Sequence, residues 1–505
     1  MRGIVTMVKT FNKFISATRA KKSSVYRKVR IDEFYSDRSR VLYCSSFRRL
    51  QQKAQVFSLE PNASVRTRLT HSLEVSDVGR TLANSIAYQL RKQKLLSDGN
   101  VPIVVSIVEN ACLLHDIGNP PFGHFGEAAI KDWAKNFAEV HRVDNQDFFN
   151  CLMEDFIQFD GNPQGFRTVT KLHTERDENG LNLTYSTLLC ILKYSRAAGE
   201  VIDSSENISK DIIKKAGYFQ SEKELVENIY SECGLNIHHR YPFTYIMEAA
   251  DDIAYCMSDI ADGIEKGILT EKSFIEEFVK EWNSSNLDEN GIPLPFPKKI
   301  STIKLKNGKR VKLSDKKMTD KIGSDQLFGF NMDISIPWSK AASSEAIKCF
   351  MEHIDEVYCG NAKSLISKDG EMGRVLETIK SVSRKLLYTS IKAESIELTG
   401  FSVITGILKR YERLLDLSVE EFDKLINHQT VDGRDYERRL FNRLGSRYVK
   451  AYQYAVEKLD KTDECYDVYE LWLRIHLIID HISGMTDEFA LETYQMLEGI
   501  QLLKS

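Results

Sequence analysis

Apolar residues recur at helical spacing along most of this 505-residue chain. One stripe, with steps of three or four residues, consists of Val75, Val78, Leu82, Ile86 and Leu90. That spacing places every member on one face of an α-helix. Because segments of this kind dominate the chain, the pattern predicts an all-α fold.

Further helices are predicted at 103–115, at 243–264 and in much of 340–505. The first of these must end before Pro120 and Pro121, because consecutive prolines cannot continue a helix. In the C-terminal part, the strings GILKRYERLLDL and VYELWLRIHLIIDHI carry the same helical periodicity. We therefore expect a helical core with a helical C-terminal extension.

Residues 283–325 depart from this pattern, because they are polar and contain three prolines. Within them, STIKLKNGKRVKLS alternates apolar and basic residues on both sides of Asn307 and Gly308. Alternation marks strands, and Asn-Gly favours a type I′ turn, so the sequence predicts a small β-hairpin insertion. Its lysines could contact phosphates, but such a charge run is more often the solvated face of a hairpin.

Composition is that of an ordinary globular protein, with 42% hydrophobic and 28% charged residues. The sequence contains no run of about 18 apolar residues, so no membrane span and no membrane partner are expected. The nine cysteines occur singly and without a C-x-x-C pair, which argues against a disulfide framework. A reducing, cytoplasmic location fits this pattern best.

Charge is distributed unevenly along the chain. The first 31 residues carry nine Lys or Arg and no Asp or Glu, so the net charge of −3 leaves −12 for the remainder. Such a basic start fits a transit peptide, a solvated arm or an arm that contacts polyanions. The expected organisation is a basic N-terminal arm at 1–40, a core at 41–282, the polar insertion at 283–325 and a helical region at 326–505 that completes the same globular unit.

Two imidazoles and two carboxylates come from three separate segments. They are His71 in RTRLTHSLEV, His115 and Asp116 in ACLLHDIGNPPFGHFGE, and Asp251 in MEAADDIAY. Polar groups among apolar neighbours must find partners, and buried carboxylates are rare unless they are paired or bound to metal. Any one of these residues alone is more often a capped core residue. Together they suit one divalent ion, and this N₂O₂ set fits Mg, Mn, Fe, Co or Zn without choosing between them.

His124 and Glu127 lie three residues apart in GHFGEAAI, on one face if a helix begins there. A carboxylate can orient an imidazole and raise its pKa, so the pair is suited to general acid–base catalysis. The alternative is an N-terminal capping arrangement with a structural glutamate. Proximity to the metal-ligand candidates favours the catalytic interpretation.

Other side chains near these motifs are suited to holding a substrate. Arg68, Lys193 and Tyr194 offer cationic and phenolic groups for phosphate oxygens. Tyr255 and Asp259 follow the aspartate of MEAADDIAY by one and two helical turns, so they point in the same direction as that aspartate. They are suited to a sugar or a base, although each one alone could equally be a packing residue.

Longer strings around these residues are more specific than the individual residues. They are RRLQQKAQVF at 48–57, RTRLTHSLEVSDVGR at 66–80, LLHDIGNPPFGHFGEAAI at 113–130, FDGNPQGFR at 159–167, ILKYSR at 191–196 and MEAADDIAY at 247–255. In these strings the chain resembles the HD-domain metal phosphohydrolases, and among them the bacterial deoxyguanosine triphosphate triphosphohydrolases. The resemblance covers nearly the whole chain and is clearest in 40–270. Residues 1–40, 135–158 and 283–325 depart from the family pattern.

The resemblance implies hydrolysis of dGTP to deoxyguanosine and inorganic triphosphate by an all-α, HD-type core. It implies metal ligands at His71, His115, Asp116 and Asp251, a catalytic pair of His124 and Glu127, deoxyribose contacts from Gln55, Tyr255 and Asp259, and phosphate contacts from Arg68, Asn162, Lys193 and Tyr194. One divalent ion, Mg or Mn, is the expected cofactor. The family also implies a homo-oligomer, specifically a hexamer, and binding of single-stranded DNA.

Two other functions remain open at this point. The chain could be an HD phosphohydrolase with a broader range of dNTPs or with other phosphate esters as substrates. It could also be a single-stranded nucleic-acid-binding protein in which the metal is structural. Binding alone requires neither His124 nor Glu127, so this pair argues against the second alternative. No motif marks the groups that would bind the edge of guanine.

Overall fold

A computed structural model of the chain describes residues 9–60, 62–203, 208–315, 318–322, 327–389 and 391–500. Within these ranges the regular structure is overwhelmingly helical, which confirms the expected all-α class. The described strands form two small sheets of two strands each. No helix in these ranges is long and apolar enough to cross a membrane.

The N-terminal half contains the three helices that the periodicity predicts most clearly. Its helices are α1 (Ile31–Tyr43), α2 (Ser45–Arg49), α3 (Arg68–Lys92), α4 (Val101–Leu114), α5 (His124–Val140), α6 (Gln146–Ile157), α7 (Gly161–Thr170), α8 (Tyr185–Ile191), α9 (Lys210–Ile213), α10 (Lys223–Glu232), α11 (Thr244–Glu265) and α12 (Glu271–Ser285). A short parallel sheet joins β1 (Arg196–Ala197) to β2 (Ala216–Tyr218).

The C-terminal half is also helical. Its helices are α13 (Met318–Lys321), α14 (Ile336–Glu352), α15 (Ile354–Cys359), α16 (Glu371–Ser383), α17 (Ile391–Tyr411), α18 (Val419–Ile426), α19 (Asp435–Phe441), α20 (Ser446–Val456), α21 (Tyr466–Ser483) and α22 (Asp487–Leu497). Two π-helical turns, Asn331–Ser335 and Arg384–Tyr388, precede α14 and follow α16.

Helices α3, α4 and α11 form the centre of the fold, and α4 contacts both of the others. Thr67 caps α3 by accepting from the Thr70 amide, and the Thr70 hydroxyl in turn accepts from the Thr67 amide, which fixes where the helix begins. The predicted stripe faces the core, since Leu82 and Ile86 are fully buried. This packing holds the first turn of α3 and the end of α4 close to the middle of α11.

The apolar core consists of two clusters of buried side chains. The first surrounds α3, α4 and α11, and the second surrounds α5, α17 and α21. Between Ile117, in the first cluster, and Phe122, in the second, the chain passes from one cluster to the other. The motif GNPP therefore lies at the boundary of the two clusters.

The predicted hairpin is present as β3 (Thr302–Lys304) and β4 (Arg310–Lys312), which pair antiparallel with Ile303 opposite Val311. Both of these apolar side chains are buried in the first cluster. The predicted type I′ turn is wrong. Of the two central residues, Gly308 alone has a positive φ, at 81°. Its amide bonds the Leu305 carbonyl at 2.8 Å, so a turn followed by a left-handed glycine closes the loop instead.

The described part of the basic arm packs against the core. Phe11 and Phe14 are buried, and the Phe11 ring lies 5.3 Å from the Tyr358 ring. Arg19 forms a buried ion pair with Asp37 at 2.6 Å. Residues 1–8 of the arm lie outside the described residues. The proposed boundaries of the arm, core, insertion and C-terminal region stay predictions.

Candidate active site

Three helices bring the predicted metal ligands together. His71 lies in the first turn of α3, His115 follows the last residue of α4, and Asp251 lies in the middle of α11. Asp251 Oδ1 is 3.5 Å from Nε2 of His71 and 3.5 Å from Nε2 of His115. One donor atom from each residue lies within 4.8 Å of the other two. These three residues therefore form a compact N₂O cluster of donors.

The two imidazoles have buried nitrogens that the described protein does not satisfy. Both ring nitrogens of His71 and Nε2 of His115 have no hydrogen-bond partner among the described residues. Nδ1 of His115 lies 2.7 Å from the Cys112 carbonyl, to which it donates, so its Nε2 lone pair faces the cluster. Buried unpaired groups are costly, and a divalent ion between them would satisfy them. The residues present thus fit a metal ion.

Charge in the cluster also favours a cation. Burial works against the charged form of Asp251, but His115, His71 and Lys193 hold the pKa of this carboxyl well below its ordinary value. Asp116, the fourth predicted ligand, has its Oδ1 3.7 Å from Nε2 of His115. It therefore lies at the edge of the cluster and adds a second negative charge.

Both oxygens of Asp116 already have partners. Oδ2 accepts from Arg68 at 2.8 Å, and Oδ1 accepts from the Asn119 side chain at 2.7 Å. Arg68 also lowers the pKa of Asp116, against the opposing effect of burial. Carboxylate oxygens have further lone pairs, so these bonds orient Asp116 without excluding it as a ligand.

At Gly118, the turn between α4 and α5 is packed too tightly for a side chain. A Cβ at Gly118 would lie 2.0 Å from the Gly165 amide nitrogen and 2.2 Å from the Gly161 carbonyl oxygen of α7. Phe122 and Gly123 both adopt positive φ, at 60° and 55°. This close approach fixes the start of α5 against the start of α7.

His124 and Glu127 form the pair that their spacing predicts. Nδ1 of His124 donates to Glu127 Oε2 at 2.9 Å, and Glu127 Oε1 accepts from the Gly161 amide at 2.8 Å. The His124 side chain is 85% exposed while that of Glu127 is 6% exposed. The hydrogen bond to Glu127 is the main reason that the pKa of His124 is raised. A buried carboxylate thus holds an accessible imidazole with its other nitrogen free.

These groups face one cavity of about 520 Å³, within the range of a small-molecule site. The predicted site residues that line it are Gln55, Arg68, His115, Asp116, His124, Glu127, Asn162, Lys193, Tyr194, Asp251 and Tyr255. His71 and Asp259 lie behind the wall, at 0% and 1% exposure. The structure therefore brings eleven of the thirteen predicted residues to the wall of one cavity, and His71 and Asp259 contact the wall residues Asp251 and Tyr388 from behind.

Cationic groups surround this cavity. Besides Arg68, Lys193 Nζ lies 3.6 Å from Asp251 Oδ2, which raises the pKa of Lys193 despite its burial. Lys215 pairs with Asp160 at 2.6 Å and Lys380 lies 3.3 Å from Asp252. Neither Lys215 nor Lys380 is predicted from the sequence. Each of these four cations is paired with a carboxylate in the structure, and cationic groups of this kind suit phosphate oxygens.

Tyr388 is a further wall residue that motif reasoning misses. Its hydroxyl lies 2.8 Å from the Tyr255 hydroxyl and donates to Asp259. Burial raises the pKa of Asp259 to about 7. The π-helical turn Arg384–Tyr388 places this side chain, and π-helical turns are frequent at functional sites. Asp259 therefore acts on the cavity through two tyrosine hydroxyls.

Ile396 and Glu397 of α17 complete the far wall of the cavity. They lie about 130 residues beyond the end of α11 in the chain. Neither stands in a motif, so only the folded arrangement identifies them. Burial raises the pKa of Glu397.

Comparisons with known proteins agree with this geometry. The HD domain family model matches residues 68–183. A deoxyguanosinetriphosphate triphosphohydrolase from Enterobacter sp. (strain 638) is 36% identical over 502 residues, covering 93% of this chain and 94% of its own length. Proteins of the same name from Klebsiella pneumoniae (strain 342) and Salmonella paratyphi A are each 35% identical, with the same coverage.

The chain belongs to the deoxyguanosinetriphosphate triphosphohydrolase family. The similarity extends over nearly the full length of both partners, as the longer sequence strings indicate. The HD match at 68–183 contains His71, His115 and the His124–Glu127 pair. Asp251 lies beyond it, and the packing of α11 against α3 brings this residue to the family's HD region.

Proposed function

We propose that this chain hydrolyses dGTP to deoxyguanosine and inorganic triphosphate. The observation that carries the proposal is the cluster of His71, His115 and Asp251 beside the His124–Glu127 pair, in a cavity large enough for a nucleotide. Family membership supports the reaction, because the relatives are named for it. In the reaction, water oxygen bonds to the α-phosphorus, the bond to the 5′ oxygen breaks, and that oxygen takes up a proton.

We assign one divalent ion to His71, His115, Asp116 and Asp251. When bound, it would supply Lewis-acid charge at the α-phosphoryl group and activate the attacking water. The unpartnered ring nitrogens support the two histidines as ligands. Mg or Mn is the proposed metal, although the donor set also suits Fe, Co or Zn.

His124 is the proposed acid–base group, with Glu127 as its positioning residue. The bond from Nδ1 to Glu127 leaves Nε2 to hold or transfer the proton at the reacting centre. Glu127 is itself held by the Gly161 amide, so the imidazole has a fixed orientation. The raised pKa keeps protonated imidazole available closer to neutral pH.

Arg68, Asn162, Lys193 and Tyr194 are the proposed phosphate contacts. The two cations would offset the negative charge of the triphosphate at the equatorial and distal oxygens. Their existing bonds to Asp116 and Asp251 hold them beside the metal ligands before substrate binds. Such pre-organisation reduces the entropy lost when the phosphates bind.

Gln55, Tyr255 and Asp259 are the proposed deoxyribose contacts. Gln55 supports this role through a buried Oε1 with no hydrogen-bond partner among the described residues. Tyr255 lines the cavity, and Tyr388 links its hydroxyl to Asp259. A close-fitting wall of this kind would exclude a 2′-hydroxyl and favour deoxynucleotides.

A homo-hexameric assembly and single-stranded DNA binding are also proposed, from the family resemblance. Exposed basic residues of the hairpin, among them Lys304 and Lys312, support a polyanion contact. A protein that only binds nucleic acid is the weaker candidate, because the buried Glu127 would then orient an accessible imidazole without use.

The test is incubation of the pure protein with each dNTP and with GTP, plus Mg or Mn, followed by separation of the products. We expect triphosphate and deoxyguanosine from dGTP. The His124→Ala variant should turn over about a hundredfold more slowly or worse, the usual scale for one acid–base group. Orthophosphate as product, or equal rates on all dNTPs, would favour the other HD phosphohydrolase activities instead.

A further inference from the structure

A second large cavity lies outside the catalytic pocket and shares no lining residue with it. Its volume is about 700 Å³, and it lies between α2, α20 and the end of α21. We call it the basic basin, defined by the four cations on its wall, Arg49, Arg443, Arg447 and Lys450. Glu175 is its single acidic wall residue among the described residues. The wall therefore carries an excess of three positive charges.

Two of these cations converge on one neutral group. Arg447 Nη2 donates to the Tyr448 hydroxyl at 2.7 Å, and Arg49 Nη2 donates to the same oxygen at 3.4 Å. Burial raises the pKa of Tyr448 to about 12, so this hydroxyl does not neutralise either guanidinium. Guanidinium groups that are held close together without a carboxylate partner are suited to binding phosphate oxygens.

The four cations of the basin form no ion pair with another described residue. By contrast, Arg66 pairs with Asp262 and Arg240 pairs with Glu248. His481, also on the wall, adds no charge, because burial lowers its pKa to about 4. The basin thus lacks the counter-ion that Arg66 and Arg240 have.

An apolar platform adjoins the cations. Phe489 lines the basin and remains 49% exposed, and Met485 lies beside it. Gly484, also on the wall, allows Tyr448 to approach the end of α21, because a Cβ there would lie 1.9 Å from the Tyr448 hydroxyl. An aromatic ring next to a cluster of arginines matches a base attached to phosphate.

We propose that the basic basin is a second ligand site, for a phosphorylated molecule of mononucleotide size. Its phosphate would contact Arg49, Arg447 and Lys450, and its base would pack on Phe489. The volume is within the range of small-molecule sites. The string RRLQQKAQVF therefore contributes to both cavities. Its Arg49 lines the basic basin, and its Gln55 lines the catalytic pocket.

The basin is connected to the catalytic turn by one short segment. Gly484, Met485 and Thr486 line the basin, while the residues on either side of them hold the turn between α4 and α5. The Lys53 ammonium group donates to the Ser483 carbonyl at 2.7 Å and also to the Asn119 carbonyl.

On the other side of the segment, Asp487 accepts from the Phe122 amide at 3.0 Å and from the Ala54 amide at 3.1 Å. Phe122 lies two residues before His124. A ligand that orders residues 484–486 would therefore stabilise the catalytic turn through hydrogen bonds at both ends. The expected result is slower amide exchange in that turn when the basin is filled.

The test uses Lys193→Glu protein in EDTA, so that anion binding in the catalytic pocket is suppressed and no turnover occurs. The probes are inorganic triphosphate and dAMP, titrated by calorimetry. We expect one equivalent of each per chain, weakened about tenfold or more in the added Arg447→Glu variant. Lys450→Glu is the second variant, since this exposed side chain can be reversed without disturbing packing. Lys424→Glu, on α18 outside the basin, is the control and should change nothing.

Phe489→Ala separates the two sources of phosphate. A loss of dAMP binding alone assigns the site to a nucleotide, and binding of triphosphate alone assigns it to a polyphosphate. The proposal is overturned if neither probe binds the Lys193→Glu protein, if binding survives both charge reversals, or if only longer single-stranded oligonucleotides bind. Unchanged amide exchange at Asn119, Phe122 and Gly123 with probe bound would overturn the link to the catalytic turn. Each result is obtained without activity, so it stands apart from the proposed dGTP hydrolysis.

Discussion

Two buried charged centres in this fold are built from similar side chains but differ in what is left unpartnered. In the first, His71, His115 and Asp251 lie at the catalytic pocket, and three ring nitrogens have no described partner. In the second, all three nitrogens of Arg167 donate to side chains, mainly to Asp480 at 2.8–3.0 Å and to a buried glutamate at 3.0 Å. We call the first the unsaturated centre. We call the second the saturated centre, because every nitrogen of Arg167 is bonded, although Oε2 of Glu222 has no hydrogen-bond partner among the described residues.

The saturated centre around Arg167 supports the unsaturated centre at the catalytic pocket. Arg167 lies on α7, whose apolar side chains belong to the first cluster, and its bonds to Asp480 and Glu222 hold that helix against α21 of the second cluster. The start of α7 supplies the Gly161 amide that binds Glu127. The hydrogen bonds of Arg167 thus fix α7. The imidazole nitrogens of His71 and His115 remain available for chemistry.

The largest effect is expected from Asp251→Asn, which breaks the unsaturated centre. The substitution keeps the shape of the side chain but removes the charge shared by His71 and His115. We expect loss of bound metal, measured by mass spectrometry of the metal content. Triphosphate release should fall roughly a thousandfold or more, the scale of several kcal/mol of charge stabilisation. Retention of both metal and turnover would exclude Asp251 as a ligand.

The next effect is expected from Arg167→Met, which breaks the saturated centre. It leaves Asp480 buried without its cation, so the free energy of unfolding should fall by about 3–5 kcal/mol. Urea unfolding followed by circular dichroism measures this. The matched control is Arg91→Met, whose ion pair with Asp98 joins two solvent-exposed side chains and should matter by about 0–1 kcal/mol. An equal loss of unfolding free energy in the two variants would show that the buried ion pairs stabilise the fold no more than an exposed ion pair does.

Sequence reasoning identified the unsaturated centre far better than the saturated one. His71, His115 and Asp251 each stand out against apolar neighbours on a predictable helix, so local pattern was enough to group them. Arg167 and Asp480 lie 313 residues apart, and each is unremarkable within its own helix. Their pairing depends on how α7 and α21 pack, which periodicity does not encode.

The same limit applies at the cavity wall and in the hairpin. Tyr388 and Lys380 reach the pocket from more than a hundred residues beyond α11 and carry no motif of their own. The hairpin was predicted correctly, because alternation is local, but its turn type was wrong. The Gly308 amide bonds the Leu305 carbonyl, and only Gly308 is left-handed. A type I′ turn, which Asn307-Gly308 favours, would have both residues left-handed.

The smallest effect is expected from Tyr388→Phe. This substitution tests whether the Tyr388 hydroxyl contributes to substrate binding through its hydrogen bond to Asp259. The ring stays in the wall, but Asp259 loses its donor, and this bond is one of the effects that hold its pKa down against burial. The pKa of Asp259 should therefore rise above about 7, and the carboxyl should be mostly neutral at pH 7.

One lost hydrogen bond is worth about 0.5–1.5 kcal/mol, so the KM for dGTP should increase about two- to tenfold with kcat nearly unchanged. Discrimination against GTP should weaken by a similar factor, if the linked hydroxyls form the sugar wall. Tyr411→Phe removes a buried hydroxyl that has no hydrogen-bond partner among the described residues, and it should leave both constants alone. A fall in kcat with unchanged KM would instead place Tyr388 at the reacting phosphate, and the two tyrosines would then belong to the chemistry rather than to substrate selection.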